Sequence, residues 1–427
     1  DKTEPKLEIL GIEPGKMTKS PVTLTYQAVD KNHDFDQYKV TVRRTDLAGT
    51  NEVLVEQNAA DWIKTGYEAD RQQDYTTTKT STYTTEGNYE ITLEGVDKAG
   101  NVGAVQTITF SIDHTAPVIS DISYSDVYGL LAPKYGIIFS NQMIRVKFQV
   151  TDRVVGVEDS YVYVTLGEAK DRMAAAPLYM ARKGEQGYYY VYVPSDVMMT
   201  EYDGVITLWA NDRIRNESDA QTIRLIQNTD KPEIVMDCDL DYTKWQSRDV
   251  TFHTKVADNK SGLKEVTYSV DGKEVKKVEF TEFVKEYTYD LTATKTADKV
   301  SGYTVDIRVV NNNGTESEAS RRVYIDKDAP AIRLSGVQNG THYNKTQTIR
   351  AEVQDVSFKN TKTEYYVTRT IDGKTYTEKY TPFTMRKYED RCTRRFGKEG
   401  RYQVYAVTTD GAGNRTRSNT LRFVVDK

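Results

Sequence analysis

A short phrase opens each quarter of this chain. Asp1 to Pro5, Asp113 to Pro117, Asn228 to Pro232 and Asp326 to Pro330 all read Asx-x-x-x-Pro. The starts lie 112, 115 and 98 residues apart, and Asp426 follows 100 residues after the fourth. A period of about 100 residues is one small domain per repeat, too long for a solenoid unit. The spacing therefore predicts four similar domains, 1–112, 113–227, 228–325 and 326–427, taken from a longer string. Such a layout points to spacing, display or adhesion before catalysis.

A strand ending in Asp recurs in each repeat, closing at Asp30, Asp152, Asp258 and Asp355. Counting back by twos from Asp152 gives Val150, Phe148, Val146 and Ile144. From Asp30 it gives Ala28, Tyr26, Leu24 and Val22. Period-two alternation means one buried and one wet face, as in the B strand of a sandwich. A second strand opens at Tyr89, Tyr303 and Tyr402, each eight residues before a turn Asx at Asp97, Asn311 and Asp410. Only the second repeat lacks that Tyr, although its turn runs Asp212 to Asn216. From the turn Asx to the next linker Asx is 15 or 16 residues, room for one tight turn and one strand. This predicts an F–G hairpin feeding the linker, with Tyr placed as a tyrosine corner. Asp271-Gly272 and Asp372-Gly373 are type I′ turn pairs. The 31 Tyr and the recurring Thr and Val are strand formers. No sustained helical periodicity is present; Ala59 to Thr65 and Lys170 to Ala175 have room for a helical turn or two each.

These landmarks, together with Ser261-Gly262-Leu263 after the third B strand and the Asp-x-Ala-Gly-Asn turns at Asp97 and Asp410, resemble the tandem Ig-like repeats of bacterial cell-surface proteins. The resemblance spans the whole chain and is weakest in the second repeat. That repeat holds 39 residues between its linker Asp and B-strand Asp, against 29 in the first and fourth. The resemblance implies an all-β fold, four tandem Ig-like β-sandwich domains in an elongated array. It also implies a role as stalk or adhesive segment; fold by itself does not fix function.

Net charge is −5, so nucleic acid is not an expected partner, because its binding face needs a basic excess. Cys238 and Cys392 fall in different repeats, so no repeat holds an internal disulfide. An extracellular protein of this kind fits a bacterial surface or cell wall. No signal peptide, lipidation motif or apolar run of membrane-spanning length occurs, which says little of an array cropped at both ends. His33, His114, His253 and His342 never pair at metal-ligand spacing, and no nucleophile elbow or phosphate loop appears. Catalysis is not expected. The sequons at Asn216, Asn313, Asn339, Asn344 and Asn414 are explained largely by turn chemistry.

Calcium is the sharper expectation. In an Ig-like sandwich the linker, the B–C loop and the F–G turn lie at one end. Asp113, Asp152 and Asp212 should then converge, as should Asp326, Asp355 and Asp410, and Asp1, Asp30 and Asp97. Calcium takes six to eight oxygens, chiefly carboxylate and carbonyl. The third repeat carries Asn228 and Asn311 around Asp258, which removes two charges. The simpler account, preferred on sequence, is that these residues cap turns by bonding their own backbone.

Tyr188, Tyr190 and Tyr192 share one strand face, opposite Tyr189, Val191 and Val193. Exposed rings there form a candidate sugar-binding platform; amphipathic tyrosines on a wet face are the preferred account. The Thr-rich run Thr76 to Thr85 reads as an edge strand. The sequence thus predicts a non-catalytic extracellular stalk or spacer, monomeric within a longer chain, without a required cofactor and without membrane insertion in this segment. The alternative is a ligand-binding module for a host glycan or protein, or the ancillary arm of a glycan-active enzyme.

Overall fold

The computed structural model describes residues 1–66, 73–167, 178–193 and 201–427. The chain divides into two compact units, 1–228 and 229–427. Each unit holds two separate hydrophobic cores, and each core draws on residues of a single repeat. Among the described residues the regular structure is strand, with three short 3-10 turns.

One topology recurs in all four repeats. In the first, one sheet orders Lys6–Leu10, Val22–Asp30, Tyr75–Tyr83 and Ile63–Thr65. The facing sheet orders Lys16–Thr18, Gln106–Ile112, Gly87–Glu94, Lys39–Thr45 and Asn51–Glu56. The opening segment thus pairs antiparallel with the B strand, then crosses and runs parallel to the last strand. The same crossing places Ile137–Ser140, Trp245–Gln246 and His342–Tyr343 parallel to the last strands of their repeats. This is the Ig-like arrangement, with closed edges between sheets supplied by a strand that switches partners.

The crossing needs glycine. Gly11 has φ +120°, and a Cβ there would sit 2.3 Å from the Thr23 carbonyl oxygen. Gly336, in the same place in the fourth repeat, has φ +112° and a Cβ would sit 2.2 Å from the Thr348 carbonyl oxygen. Only a residue without Cβ takes this backbone at this spacing.

The alternation of the B strands is realised side chain by side chain. Val22, Leu24, Tyr26 and Ala28 are buried, as are Ile144, Val146, Phe148 and Val150. Their partners across the sandwich include Ile91, Leu93 and Phe110 in the first repeat and Val162, Val164 and Leu208 in the second. At about 25 cal/mol per Å², each such Val, Leu, Ile or Phe side chain stabilises its own core by about 1.5–3 kcal/mol.

The F-strand tyrosines close corners. Tyr89 Oη donates to the Thr85 carbonyl at 2.6 Å and Tyr402 Oη to the Lys398 carbonyl at 2.7 Å. Tyr303 does the same to Ala297. In the second repeat Gly204 stands where the corner Tyr should be. Tyr202, two residues earlier, folds its ring over Gly204 and donates to the Val205 carbonyl at 2.7 Å. The absent Tyr is replaced from a neighbouring position, and the Gly makes room for it.

The Asp-Gly pairs form the expected turns: Asp271 and Gly272 have φ 52° and 73°, Asp372 and Gly373 48° and 73°. Three sequence expectations need adjustment or fall away. Ala59–Asp61 is a 3-10 turn capped by Asn58, but Ile63–Thr65 is strand. That strand pairs with Thr76 to Thr78, so the Thr-rich Tyr75–Tyr83 strand lies second from the sheet edge and not at it. Lys170 to Ala175 lie outside the described residues. The ten extra residues of the second repeat lengthen its first strand to Val118–Asp126 and add a hairpin to Gly129–Leu131.

Candidate metal centres

Each predicted set of carboxylates is brought together. Asp113, Asp152 and Asp212 each present an oxygen within 4.8 Å of the other two. The same holds for Asp326, Asp355 and Asp410, and for Asp1, Asp30 and Asp97. The elements converge because the linker, the end of the B strand and the F–G turn meet at one end of each sandwich.

Turn capping accounts for part of each cluster. Asp212 Oδ1 accepts from the Ile214 and Asn216 amides at 2.9 and 2.8 Å. Asp410 Oδ1 accepts from the Asn414 amide at 2.7 Å, and Asp97 Oδ1 from Ala99 and Asn101 at 2.9 and 2.8 Å. Asp152 Oδ1 takes three amides, the shortest from Gly156 at 2.7 Å. Asp355 Oδ1 takes the Ser357 amide and the Ser357 and Thr361 hydroxyls. These are Asx-turn bonds that any sandwich loop can use.

Capping does not account for the linker carboxylates. Asp113 is 0% exposed and Asp326 1%. One oxygen of each caps its own linker, through the Thr115 amide at 2.9 Å and the Asp328 amide at 3.2 Å. The other oxygen, Oδ2 in both, is buried without a hydrogen-bond partner. A buried carboxylate oxygen left unpaired costs several kcal/mol of desolvation unless something else meets it. Two further carboxylates stand beside each. Burial, then the charges of Asp152 and Asp212, push the Asp113 carboxyl up to about 6. Burial, then Asp355, push Asp326 up to about 6 as well. Burial also raises Asp152 and Asp410. Asp97 goes the other way: burial opposes, but the bonds from Asn101 outweigh it and hold the carboxyl low.

The donor set fits a hard cation. All candidate ligands are oxygen, with no His or Cys among them. The buried, unpartnered Oδ2 atoms are what a divalent ion would satisfy, and their mutual repulsion is what it would remove. In the first repeat Asp1 Oδ2 already accepts from Asn32 Nδ2 at 2.6 Å, and Lys31 Nζ lies 3.7 Å from Asp1 Oδ1. In the third, Asn311 Nδ2 donates to Asp258 Oδ2 at 2.8 Å, so an amide dipole fills the place of a charge.

The turn asparagines bond directly to the clusters, a contact that spacing alone did not reveal. Asn216 Nδ2 donates to Asp212 Oδ2 at 2.6 Å and reaches the Asp113 carbonyl at 3.3 Å. Asn101 bonds the Thr3 carbonyl at 3.1 Å. The terminal Asn of each Asp-x-x-x-Asn turn therefore ties its turn to its linker.

The tyrosine face of the second repeat is only partly open. Tyr189, Val191 and Val193 are buried as predicted. On the other face Lys147 Nζ lies 4.2 Å from the Tyr188 ring centre, and Tyr190 meets Tyr192 edge-on. Tyr192 alone of the three lines a surface groove, of about 550 Å³, with Val127, Leu130, Met143 and Arg145.

Fold and clusters together define a class: tandem Ig-like sandwiches with three-carboxylate nests at the starts of the first, second and fourth repeats. No family model matches the chain, and no curated protein sequence matches it significantly. Among solved structures it is similar to a tetra-tandem repeat in the extending region of a large adhesion protein, at 16% identity and TM-score 0.38, with 99% of each chain covered. It is also similar to the fibronectin(III)-like modules of Clostridium thermocellum CbhA, at 14% identity and TM-score 0.22, covering 45% of this chain and 94% of that one.

Proposed function

We propose that this chain is a non-catalytic spacer segment of an extracellular bacterial surface protein, and that calcium fastens its repeat starts. The observation that carries the reading is the pair of buried, unpartnered oxygens, Asp113 Oδ2 and Asp326 Oδ2, each beside two more carboxylates. A cation there ties linker, B strand and F–G turn at a single point. Such a tie stiffens the entry of a repeat without any moving part or reacting group, which suits a spacer under load. The ion's remaining coordination falls to water and backbone carbonyls.

The reading is tested by melting the full chain in calcium and in chelator. At about 100 times its dissociation constant a bound ion adds about 2.7 kcal/mol to the repeat that holds it. That corresponds to a rise of about 10–20 °C for a domain of this size. Asp152→Asn and Asp355→Asn should each remove part of the rise. Superimposable melts with and without calcium would refute it.

A second reading, adhesion through the second repeat, rests on its inserted hairpin. Val127, Tyr128 and Leu130 are 75%, 80% and 84% exposed, beside the Tyr192 groove. Exposed apolar side chains grouped at a loop tip are typical of contact sites for a protein or glycan. Replacing Tyr128 and Leu130 by Ser should leave the melting temperature unchanged. Adhesion of the parent cell would fall on this reading and persist if the segment is only a spacer.

A further inference from the structure

The linker carboxylates of the second and fourth repeats, Asp113 and Asp326, are equally buried, yet the residue set against each linker has opposite charge. Lys295 lies between the strands Glu286–Ala293 and Tyr303–Asn311 of the third repeat. Its ammonium is 2.7 Å from Asp298 Oδ1, 2.5 Å from Asp328 Oδ2 and 3.4 Å from Asp326 Oδ1. Its side chain is 10% exposed. The corresponding segment of the first repeat, between Tyr75–Tyr83 and Gly87–Glu94, carries Glu86. Glu86 accepts from the Thr115 hydroxyl at 2.8 Å and from the His114 amide, and it stands 3.3 Å from His114 Nδ1. Among the described residues no Lys or Arg forms an ion pair with Asp113, Asp152 or Asp212.

We propose that Lys295 is a tethered competitor for the divalent cation of the fourth repeat, so that the two nests fill at different calcium concentrations. The inference rests on the calcium reading of the nests given above. In the fourth repeat an ion arriving at Asp326 Oδ2 meets the repulsion of the ammonium held at Oδ1 of the same carboxylate, which it must drive away. The displaced Lys295 keeps Asp298 and Asp328 as partners, which makes the displacement reversible at modest cost. Asp298 is itself held by the Tyr388 hydroxyl of the fourth repeat at 3.2 Å, so the lysine has a fixed seat to retreat to. In the second repeat nothing cationic has to leave, and Glu86 adds negative charge nearby. Attraction between unit charges a few ångströms apart in partly buried surroundings is large enough to separate the two affinities by at least about tenfold. The second repeat's start is then fastened first as calcium rises, and the fourth repeat's start last.

Calorimetric titration of the full chain with calcium chloride alone, in an Asp30→Asn background that silences the first nest, tests this. Two affinity classes are expected. Asp152→Asn should remove the tighter and Asp355→Asn the weaker. Lys295→Met and Lys295→Gln should each tighten the weaker class at least tenfold and leave the tighter class unmoved. If both lysine variants bind with unaltered affinities while the parent still binds two ions, the role of Lys295 is overturned and the nests stand. If neither parent nor variants bind calcium at millimolar concentration, the calcium reading fails and takes this inference with it.

Discussion

Asn414 reaches back 88 residues to hold the start of its own repeat: its Nδ2 donates to the Asp326 carbonyl oxygen at 2.9 Å. The same amide serves the Asp328 carbonyl at 3.2 Å and Asp410 Oδ2 at 2.8 Å. One side chain thus binds the turn that carries it to the linker that precedes the sandwich. Replacing Asn414 by Ala leaves these acceptors without that donor. The expected cost is about 1–3 kcal/mol, read as a lower urea midpoint for the fourth repeat. Asn414→Asp should cost more, because it adds a fourth carboxylate to the nest. Unchanged midpoints for both would show that the clasp contributes nothing.

Gly336 makes a separate prediction, on folding alone. Its positive φ and the 2.2 Å approach of the Thr348 carbonyl leave no volume for a methyl group. The carbonyl belongs to a strand paired on both sides, so it cannot withdraw. Gly336→Ala should destabilise the fourth repeat by more than about 2 kcal/mol. Gly340, with φ +79° and open space around it, is the control. Its Ala variant should cost only the conformational strain, about 1 kcal/mol. Similar losses at the two positions would refute the close-approach argument.

The tyrosine corner can be tested against its own substitute. Tyr402→Phe removes the bond to Lys398 and keeps the ring stacked on Phe423 at 5.0 Å. A loss of about 1 kcal/mol is expected from the hydrogen bond alone. In the second repeat Gly204→Tyr, which restores the usual corner residue, should destabilise, since Tyr202 already covers that position. A gain in stability there would show that Tyr202 is not the replacement.

Much of the architecture was legible in the sequence because it depends on period-two burial and on turns with strict backbone demands. Leu24, Tyr26, Val146 and Phe148 could be placed by counting from an Asp. The convergence of Asp113, Asp152 and Asp212 followed from topology once the B and F strands were found. What stayed hidden was decided by spatial neighbours without periodic signature. Lys295 and Glu86 sit in irregular segments of different length, so no register relates them. The division of labour between carboxylate oxygens, one capping and one orphaned, is likewise a matter of atoms and not of spacing. The strand Ile63–Thr65, only three residues long, is too short to show an alternation and is fixed by its pairing with Thr76 to Thr78. Tyr202 lies two residues out of register with the other corner tyrosines, and only the packing of its ring over Gly204 reveals its role.

The nests also fix the sign of a pH effect in metal-free buffer. The Asp113 and Asp326 carboxyls sit at about 6 in the folded chain, each raised first by burial, against 3.8 for an unperturbed Asp. Between those values the native state binds more protons than the unfolded one, so stability falls as pH rises. The contribution is complete below 3.8 and gone above about 6. Carboxyls held low by hydrogen bonds, such as Asp97, act below 3.8 and leave this window clear. His33, whose pKa burial lowers, contributes a slope of opposite sign near neutrality. The measurement is therefore a difference: melting of the parent against Asp113→Asn with Asp326→Asn, stepped from pH 4.5 to 7.5 after metal removal. The parent should lose stability relative to the double variant over that range, and saturating calcium should abolish the loss by favouring the ionised carboxylates. A difference that is flat, or that grows in the parent's favour with pH, would mean that the linker carboxylates are not held in proton-binding surroundings.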